Sequence, residues 1–281
     1  MIPFRRILFP VDFSDASRSI VPYVKGMSEH FGAELTLMHA YQPPAVLYGE
    51  LGPADLGWPE LAHKVEERLE KFADEFFPGA TLLLEEGGPG DAIPRVVERQ
   101  GIDLVMMTTH GHGPFRRMLL GSVAAKVLHD AGCSIWTAAP AARTAHWPVK
   151  SMVCALPWDG EAQGVAMAAA SLAKSFDARL ALMHAVEVPP PTFELDVTPF
   201  REQLRAGAKR FLTTVQEEAA PSAEIIVVDG HSTASLVRDE AEKRAADLVV
   251  VGRGHAQARL SFLSSGLYGI VRESVCPVLS M

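Results

Sequence analysis

Apolar runs and amphipathic segments alternate along the first half of the chain. Short, uninterrupted apolar runs are typical of strands buried on both faces, whereas apolar positions three or four residues apart are typical of helices. This alternation predicts a parallel sheet covered by helices on both faces. The predicted strands are Arg6–Val11, Glu34–Tyr41, Thr81–Leu84, Asp103–Thr108 and Ser134–Ala138, and the predicted helices are Ala16–Phe31, Glu60–Phe76, Asp91–Arg99 and Ser122–His129.

The second half of the chain repeats the first. The segment Phe31–Ala40 recurs as Phe176–Ala185, which lies 145 residues later. Two further matches in the same order are Ile102–Met107 with Ala246–Val251 and Leu120-Gly121-Ser122 with Leu263-Ser264-Ser265, at separations of 144 and 143 residues. So long a period indicates the duplication of a whole domain rather than a solenoid of short repeats. We therefore predict two tandem five-stranded, parallel, doubly wound α/β domains at residues 1–140 and 149–281.

Predicted elements of the second copy include a long helix, Pro199–Ala219, and a final strand, Pro277–Ser280.

Composition excludes some classes of function. The 281 residues carry a formal net charge of −8 without a basic stripe, which disfavours nucleic acid as a partner. No apolar run approaches the roughly 20 residues that span a bilayer, and the N-terminus lacks the apolar core of a signal peptide. We expect a soluble, cytoplasmic protein that binds no membrane.

A ligand of a doubly wound sheet binds beyond the carboxyl ends of the strands, where the strand order reverses. A flavodoxin-like order places that point near strand one. The residues that follow strands one, two and four are Pro10-Val11-Asp12, His39-Ala40-Tyr41 and Thr108–Gly113, and the last of these leads to Gly121-Ser122. Asp12 can accept hydrogen bonds from an amine or a ribose hydroxyl. Gly111 and Gly113 let the backbone approach a phosphate, and Ser122 opens a helix whose free N–H groups attract an anion.

Each of these residues also has a purely structural interpretation. Asp12 can cap the turn that follows it, where Ser14 and Asp15 are rival caps, and Gly121-Ser122 can be a helix start without a ligand. Neither common phosphate-binding fingerprint is present, since there is no G-x-x-x-x-G-K-[ST] and the glycine-rich loop does not follow the first strand. The case for a nucleotide site depends on the convergence of these residues at one place in the fold.

These residues resemble those of the universal stress protein family, and the resemblance covers both copies. Nucleotide-binding members carry an aspartate at the end of strand one and a motif G-x2-G-x9-G-[ST] after strand four. Here the motif is Thr108-x2-Gly111-x9-Gly121-Ser122, with threonine in place of the first glycine. The resemblance implies a Rossmann-like, adenine-nucleotide α-hydrolase-like fold and ATP, with or without Mg²⁺, as the ligand. It implies contacts to adenine and ribose from Pro10, Asp12 and Ala40, and contacts to the phosphates from Met107, Thr108, His110, Gly111, Gly121, Ser122 and Val123.

The second copy departs further from this pattern. Pro157 stands where Asp12 stands in the first copy, and Ser264-Ser265 replaces Gly121-Ser122. The loop Gly252-Arg253-Gly254 is also shorter than its counterpart. We therefore expect a degenerate nucleotide site in the second domain. By resemblance, the final strands Ser134–Ala138 and Pro277–Ser280 pair to form an intramolecular pseudo-dimer, and a homodimer of the whole chain stays open.

Other candidate residues have simpler interpretations. His39 and His184 are equivalent through the duplication, and each is expected to be packed and hydrogen-bonded rather than a metal ligand. The spacing of four further candidates does not fit zinc, and these are His110, His112, His129 and Cys133. The pair Arg116-Arg117 is expected to be solvated. The helical spacing of a fourth set indicates core packing, and its members are Val65, Leu69, Phe72 and Phe76. Cys133 and Cys276 precede equivalent strands and are expected to be buried thiols.

Three hypotheses of function follow. The first is an ATP-binding protein of stress response or regulation, in which the nucleotide biases conformation or the choice of a protein partner. The second is a slow ATPase or another hydrolase, although the sequence places no nucleophile–histidine pair and no paired carboxylates. The third is a protein-interaction module that binds no nucleotide, which Thr108 and the changes in the second copy favour.

Overall fold

The computed structural model of the chain describes residues 4–41, 58–110, 120–138, 147–188, 198–253 and 265–281. Strands and helices alternate as the sequence predicts. The first half contains β1 (Arg6–Pro10), α1 (Asp15–Ser19), α2 (Val21–Phe31), β2 (Glu34–Tyr41), α3 (Trp58–Phe76), β3 (Thr81–Glu86), α4 (Pro89–Gln100), β4 (Leu104–Thr108), α5 (Ser122–Asp130) and β5 (Ser134–Ala138). The second half contains β6 (Ser151–Ala155), α6 (Ala162–Phe176), β7 (Arg179–Glu187), α7 (Thr198–Ala219), β8 (Glu224–Gly230), α8 (Thr233–Lys243), β9 (Leu248–Val251), α9 (Ser265–Glu273) and β10 (Val278–Ser280).

The described chain divides into two compact units, of which the N-terminal one contains the strands β1 to β4. Their order is β3-β2-β1-β4, and all the pairs are parallel. The expected flavodoxin-like order is wrong, because β3 lies beyond β2 and β4 takes the place beside β1, with Leu8 opposite Val105. The order still reverses at β1. The carboxyl ends of β1 and β4 therefore meet at the reversal point, where a doubly wound sheet binds its ligand.

The C-terminal unit contains Ile135–Met281. Its strands follow the order β5-β10-β9-β6-β7-β8, and the five strands from β10 to β8 are parallel. Among them, the order β8-β7-β6-β9 repeats the order β3-β2-β1-β4 of the first copy. Strand β10 pairs with β5 in the antiparallel direction, with Leu279 opposite Trp136. The two final strands that the resemblance singles out therefore pair with each other.

Local sequence explains where the first helices begin and end. The single helix predicted at Ala16–Phe31 is wrong, because the chain forms two helices, α1 and α2, that meet at Ile20. Pro22 in the first turn of α2 lacks the N–H that a continuous helix would need, and its ring would clash with the carbonyl of Arg18. Helix α2 ends at Gly32, whose φ of 58° is the left-handed conformation that a glycine cap adopts most easily.

A pair of equivalent aspartates shows the duplication in atomic detail. Asp103, which precedes β4, accepts a hydrogen bond from the backbone amide of Arg5 at 2.8 Å. Asp247, which precedes β9, accepts one from the amide of Lys150 at 2.7 Å. In each copy the aspartate thus ties the start of the fourth strand to the entry of the first. Within the described residues, no helix is long and apolar enough to cross a bilayer.

Candidate functional site

Three strand ends converge at one edge of the N-terminal sheet. Pro10 at the end of β1 pairs with Met38 of β2, and the amide of Val11 donates to the carbonyl oxygen of Met38 at 2.7 Å. Pro10, Asp12 and Ala40 are half-buried at this edge. Met107, near the end of β4, is buried. The residues implied for adenine and ribose therefore lie on neighbouring strand ends.

The carboxylate of Asp12 is held by the turn that follows β1. Its Oδ1 atom accepts hydrogen bonds from the amide of Ser14 at 3.0 Å, from the Ser14 hydroxyl at 2.6 Å and from the Ser17 hydroxyl at 2.5 Å. Asp12 therefore stabilises the turn into α1, as its structural interpretation predicts. Binding a ligand is compatible with this role, because an ionised carboxylate has about four acceptor positions on its two oxygens.

Threonine side chains organise the start of the loop after β4. The Thr108 hydroxyl donates to the carbonyl oxygen of His110 at 2.8 Å. The hydroxyl of the buried Thr109 is hydrogen-bonded to Nδ1 of His110, also at 2.8 Å. A glycine at position 108 would not make the first of these bonds, so the departure from the family motif supplies a local loop contact. Gly111, His112, Gly113 and Arg116-Arg117 lie outside the described residues.

Helix α5 starts against this loop. Its N-cap residue, Gly121, donates its amide to the carbonyl oxygen of Thr109 at 2.9 Å. A Cβ atom on Gly121 would lie 2.8 Å from the same oxygen, which is closer than real Cβ contacts allow. No side chain caps the helix, and Ser122 in its first turn is exposed. The backbone N–H groups of the first turn and the dipole of the nine-residue helix therefore favour an anion at this end.

An aromatic cluster that the sequence did not indicate lies beside Asp12. Phe13 has a φ of 61°, a left-handed conformation that is rare for a bulky residue. Its ring lies 4.6 Å from the imidazole of His39 and 4.5 Å from the guanidinium carbon of Arg68. Strain of this kind persists where the surrounding packing fixes the residue, and it is frequent at ligand sites. In the sequence, the one feature that could have pointed to this cluster is the aromatic residue next to Asp12.

His39 joins the strand ends that carry this cluster. Its Nδ1 atom donates to the carbonyl oxygen of Val11 at 2.6 Å, which confirms the prediction of a packed, hydrogen-bonded histidine. Burial lowers the pKa of His39 and Arg68 lowers it further, although the hydrogen bond to Val11 and the charge of Asp12 act in the opposite direction. In the second copy, His184 donates to the carbonyl oxygen of Leu156 at 2.8 Å.

All three cysteines lie in the core of the protein. Cys133, Cys154 and Cys276 are buried and form no disulfide, as predicted for Cys133 and Cys276, and burial raises the pKa of Cys276 to about 12. Across the described part of the chain, no group of three or more His, Cys, Asp or Glu side chains is arranged to hold a metal ion.

The order of the parallel strands and the helices that alternate with them define an α/β, Rossmann-like fold. The universal stress protein family model matches residues 3–138 and 150–280, so the chain belongs to the universal stress protein family and contains two of its domains in tandem. A universal stress protein of Thermus aquaticus is 30% identical over 132 residues, which cover 47% of this chain and 96% of that protein.

Two solved structures share this fold over nearly the whole chain. The structure of a universal stress protein from Archaeoglobus fulgidus matches with a TM-score of 0.68 and 19% identity, covering 99% of this chain and 98% of that one. One from Pseudomonas aeruginosa matches with a TM-score of 0.64 and 16% identity, covering 99% and 93%. A universal stress protein solved in complex with cAMP is 19% identical, covers 47% of this chain and 96% of its own, and has a TM-score of 0.37.

Proposed function

We propose that the first domain binds ATP and that the chain acts in stress response or regulation, through a conformation or a choice of partner that depends on the nucleotide. The observation that carries this proposal is the close approach of Gly121 to Thr109. It brings a helix N-terminus without a side-chain cap to the strand edge that also presents Asp12. A cationic pocket is not required for phosphate binding where backbone N–H groups supply the donors.

The residues of this edge divide into two groups by chemistry. Asp12 supplies a carboxylate for the ribose hydroxyls, while Pro10 and Ala40 supply apolar backbone positions for the base. The residues assigned to the phosphates are Met107, Thr108, His110, Gly111, Gly121, Ser122 and Val123. A side chain at position 121 would collide with the carbonyl oxygen of Thr109, so the glycine lets the N-terminus of α5 lie against the end of β4. ATP bound with or without Mg²⁺ brings the phosphate charge that the N-terminus of α5 favours.

Calorimetric titration of ATP into the intact chain tests this assignment through the variant Asp12→Asn. The asparagine Oδ1 can still accept the hydrogen bonds from Ser14 and Ser17, so the turn is kept while the negative charge is lost. A hydrogen bond to a charged group contributes about 1.5–3 kcal/mol, so we expect affinity to fall by about 10- to 100-fold. The matched control is Asp15→Asn, which removes the same charge from an exposed position in α1 and should bind ATP like the parent chain.

Two outcomes would contradict the proposal. Absence of ATP binding by the parent chain would favour the protein-interaction module. Equal affinity of the Asp12→Asn and Asp15→Asn variants would show that ATP binds elsewhere. Phosphate release, followed in the same samples, separates a regulatory ligand from a slowly hydrolysed substrate.

A further inference from the structure

The aromatic cluster beside β1 has an altered counterpart in the second domain. Trp158 takes the position that Phe13 has in the first copy. Each of these rings contacts the histidine of its own copy and a phenylalanine of the helix that follows, and these partners are His39 and Phe72 in the first copy and His184 and Phe211 in the second. The two rings differ in exposure, because Phe13 is 8% exposed and Trp158 is 51% exposed. The second copy therefore presents to solvent an aromatic ring that the first copy buries.

Helix α7 holds Trp158 in place. The indole stacks on the ring of Phe211, with centroids 5.6 Å apart and planes inclined by 17°, and it meets the imidazole of His184 edge to face. A Cβ atom on Gly207 would lie 2.7 Å from the Cη2 atom of Trp158, so this glycine makes room for the indole. At the equivalent position, four residues before the phenylalanine, the first copy carries Arg68. Trp158 is thus fixed by packing, and a ligand that stacks on it has no mobile side chain to order.

An open groove runs along α7 beside this indole and is called the Trp158 groove. Its volume is about 450 Å³, which falls within the range of ligand-binding sites. The other lining residues recur at intervals of three or four positions and so form one stripe of the helix, and they include Phe200, Gln203, Leu204, Gly207, Phe211 and Thr214. Phe200 is 54% exposed, like the indole of Trp158. Exposed aromatic surface gathered in one groove is typical of a binding site rather than of isolated surface residues.

Arg210 gives the Trp158 groove its charge. Among the described residues of the lining, it is the only one with a charged side chain. Its backbone carbonyl oxygen accepts a hydrogen bond from the Thr214 hydroxyl at 3.2 Å, while its exposed guanidinium forms no ion pair within the parts of the chain that the structure describes. A single guanidinium matches a single carboxylate, because its fork can donate to both oxygens.

The acidic residue nearest in sequence belongs to another part of the domain. Asp159 lines a separate cavity of about 330 Å³ at the carboxyl ends of β6, β7 and β9, and it accepts a hydrogen bond from the amide of Glu161 at 2.9 Å. It does not line the Trp158 groove. The groove therefore combines half-exposed aromatic rings with one cation and with no acidic side chain among its described lining residues.

We propose that the second domain binds a flat aromatic monocarboxylate in the Trp158 groove. The ring of the ligand stacks on the exposed part of the indole and packs against Phe200, and Arg210 holds the carboxylate. Aromatic pairs gain energy beyond the area that they bury, so a flat ring is favoured over a saturated one of the same size. The binding uses no residue of the first domain and needs no nucleotide.

The probe is 2-naphthylacetate, titrated into the intact chain and followed by ligand-observed NMR. Two analogues separate the contributions, since 2-naphthylacetamide lacks the charge and decahydro-2-naphthylacetate lacks the flat π faces. We expect the probe to bind about threefold or more tightly than either analogue, a difference in keeping with an exposed ion pair and a stacked ring. Failure of the probe to bind, or equal affinities for the three compounds, would overturn the proposal.

The variant Arg210→Gln tests the partner of the carboxylate. It should lose the preference for the acid over the amide. Lys209→Gln is the matched control, because it removes the same charge from the neighbouring exposed residue of α7, which does not line the groove, and it should keep the preference. A preference that both variants keep, or that both lose, would show that Arg210 does not hold the carboxylate and would overturn the proposal.

The aromatic contacts are tested by a second set of variants. Trp158→Leu and Phe200→Ala should each weaken binding of the probe about threefold or more. Met167→Ala is the matched control, because Met167 is 55% exposed in α6 but does not line the groove, and it should bind the probe like the parent chain. Unchanged binding in Trp158→Leu and Phe200→Ala, or displacement of the probe by ATP, would place the probe elsewhere and overturn the proposal.

Discussion

The backbone amide of Gly121 donates a hydrogen bond to the carbonyl oxygen of Thr109 at 2.9 Å, and this contact joins helix α5 to the end of β4. A sequence motif records the two glycines and their spacing but gives no reason for the second one. The structure supplies the reason, since a Cβ atom would lie 2.8 Å from that same oxygen. The glycine is therefore needed for a close approach of two backbones, at a φ of −61° that any residue can adopt.

Substitution of this glycine should separate the helix from the loop. In Gly121→Ala the methyl group collides with a backbone atom, so the start of α5 has to move away from Thr109. We expect a loss of stability of about 1–3 kcal/mol, the usual cost of overpacking, and at least a tenfold loss of ATP affinity. Chemical denaturation measures the first effect, and calorimetry measures the second.

The control for this variant lies two residues beyond the C-terminal end of the same helix. Gly132 is exposed and an added Cβ would have no neighbour within 4 Å. Gly132→Ala should therefore leave both stability and ATP affinity close to those of the parent chain. Should Gly121→Ala behave like Gly132→Ala, the close approach would have no bearing on the site.

Phe13 offers a test of backbone strain. Replacement by alanine or by glycine removes the ring contacts to His39 and Phe72, at a cost of about 3–5 kcal/mol for the alanine variant. The φ of 61° costs a residue with a Cβ about 1–2 kcal/mol, and glycine avoids this cost. We expect Phe13→Gly to be more stable than Phe13→Ala, the reverse of their usual order, in urea denaturation. An alanine variant that equals or exceeds the glycine variant would show that position 13 is not strained.

His39 should give the protein a characteristic dependence of stability on pH. Burial and the charge of Arg68 hold its pKa below the ordinary 6.5, so the unfolded chain takes up a proton at a higher pH than the folded chain does. The contribution of His39 to stability is therefore complete above pH 6.5 and declines as the pH falls from there towards the folded pKa.

The variant His39→Asn isolates this effect, because its side-chain amide can still donate to the carbonyl of Val11 but does not titrate in this range. Denaturation midpoints of both proteins between about pH 8 and about pH 5 measure it. We expect the parent chain to lose more stability on acidification than the variant. Parallel curves would mean that the pKa of His39 is not lowered by folding.

The sequence predicted the duplication and the strands, because strands buried along most of their length, such as β4 and β9, have a plain hydrophobic pattern. It placed β2 and β5 at their observed bounds. It missed the break at Ile20, since an amphipathic period continues across it and only Pro22 marks it. The predicted position of β3 in the sheet was wrong, because the choice of neighbouring strands depends on contacts between segments far apart in the chain.

The role of Asp12 could not be decided from the sequence for a different reason. Capping and binding were alternatives in the sequence. The rival Ser14 is the N-cap of α1, and the three hydrogen bonds of Asp12 Oδ1 stabilise the turn before that helix.

The second copy marks the limit of reasoning by motif. The loss of a nucleotide site in the second domain was predicted from Pro157 and from the short loop Gly252-Arg253-Gly254. A motif does not show whether a cavity remains at that strand edge once the polar groups are lost. Leu156 follows β6, Val237 lies in α8, and Leu267 and Ile270 lie in α9, so the cavity wall that they share follows from packing alone. Core side chains of this kind leave no signal in a search for ligand chemistry.

The number of ATP molecules bound by the intact chain tests the account most directly. Calorimetric titration should give one nucleotide per chain, because the proposed ATP site of the first domain uses Asp12 and the start of α5, whereas the second domain has Pro157 at the position of Asp12. This binding should be lost or strongly weakened in Asp12→Asn. Two nucleotides per chain would contradict the expected loss of the nucleotide site in the second domain. A chain that binds no nucleotide would contradict the proposed ATP site of the first domain.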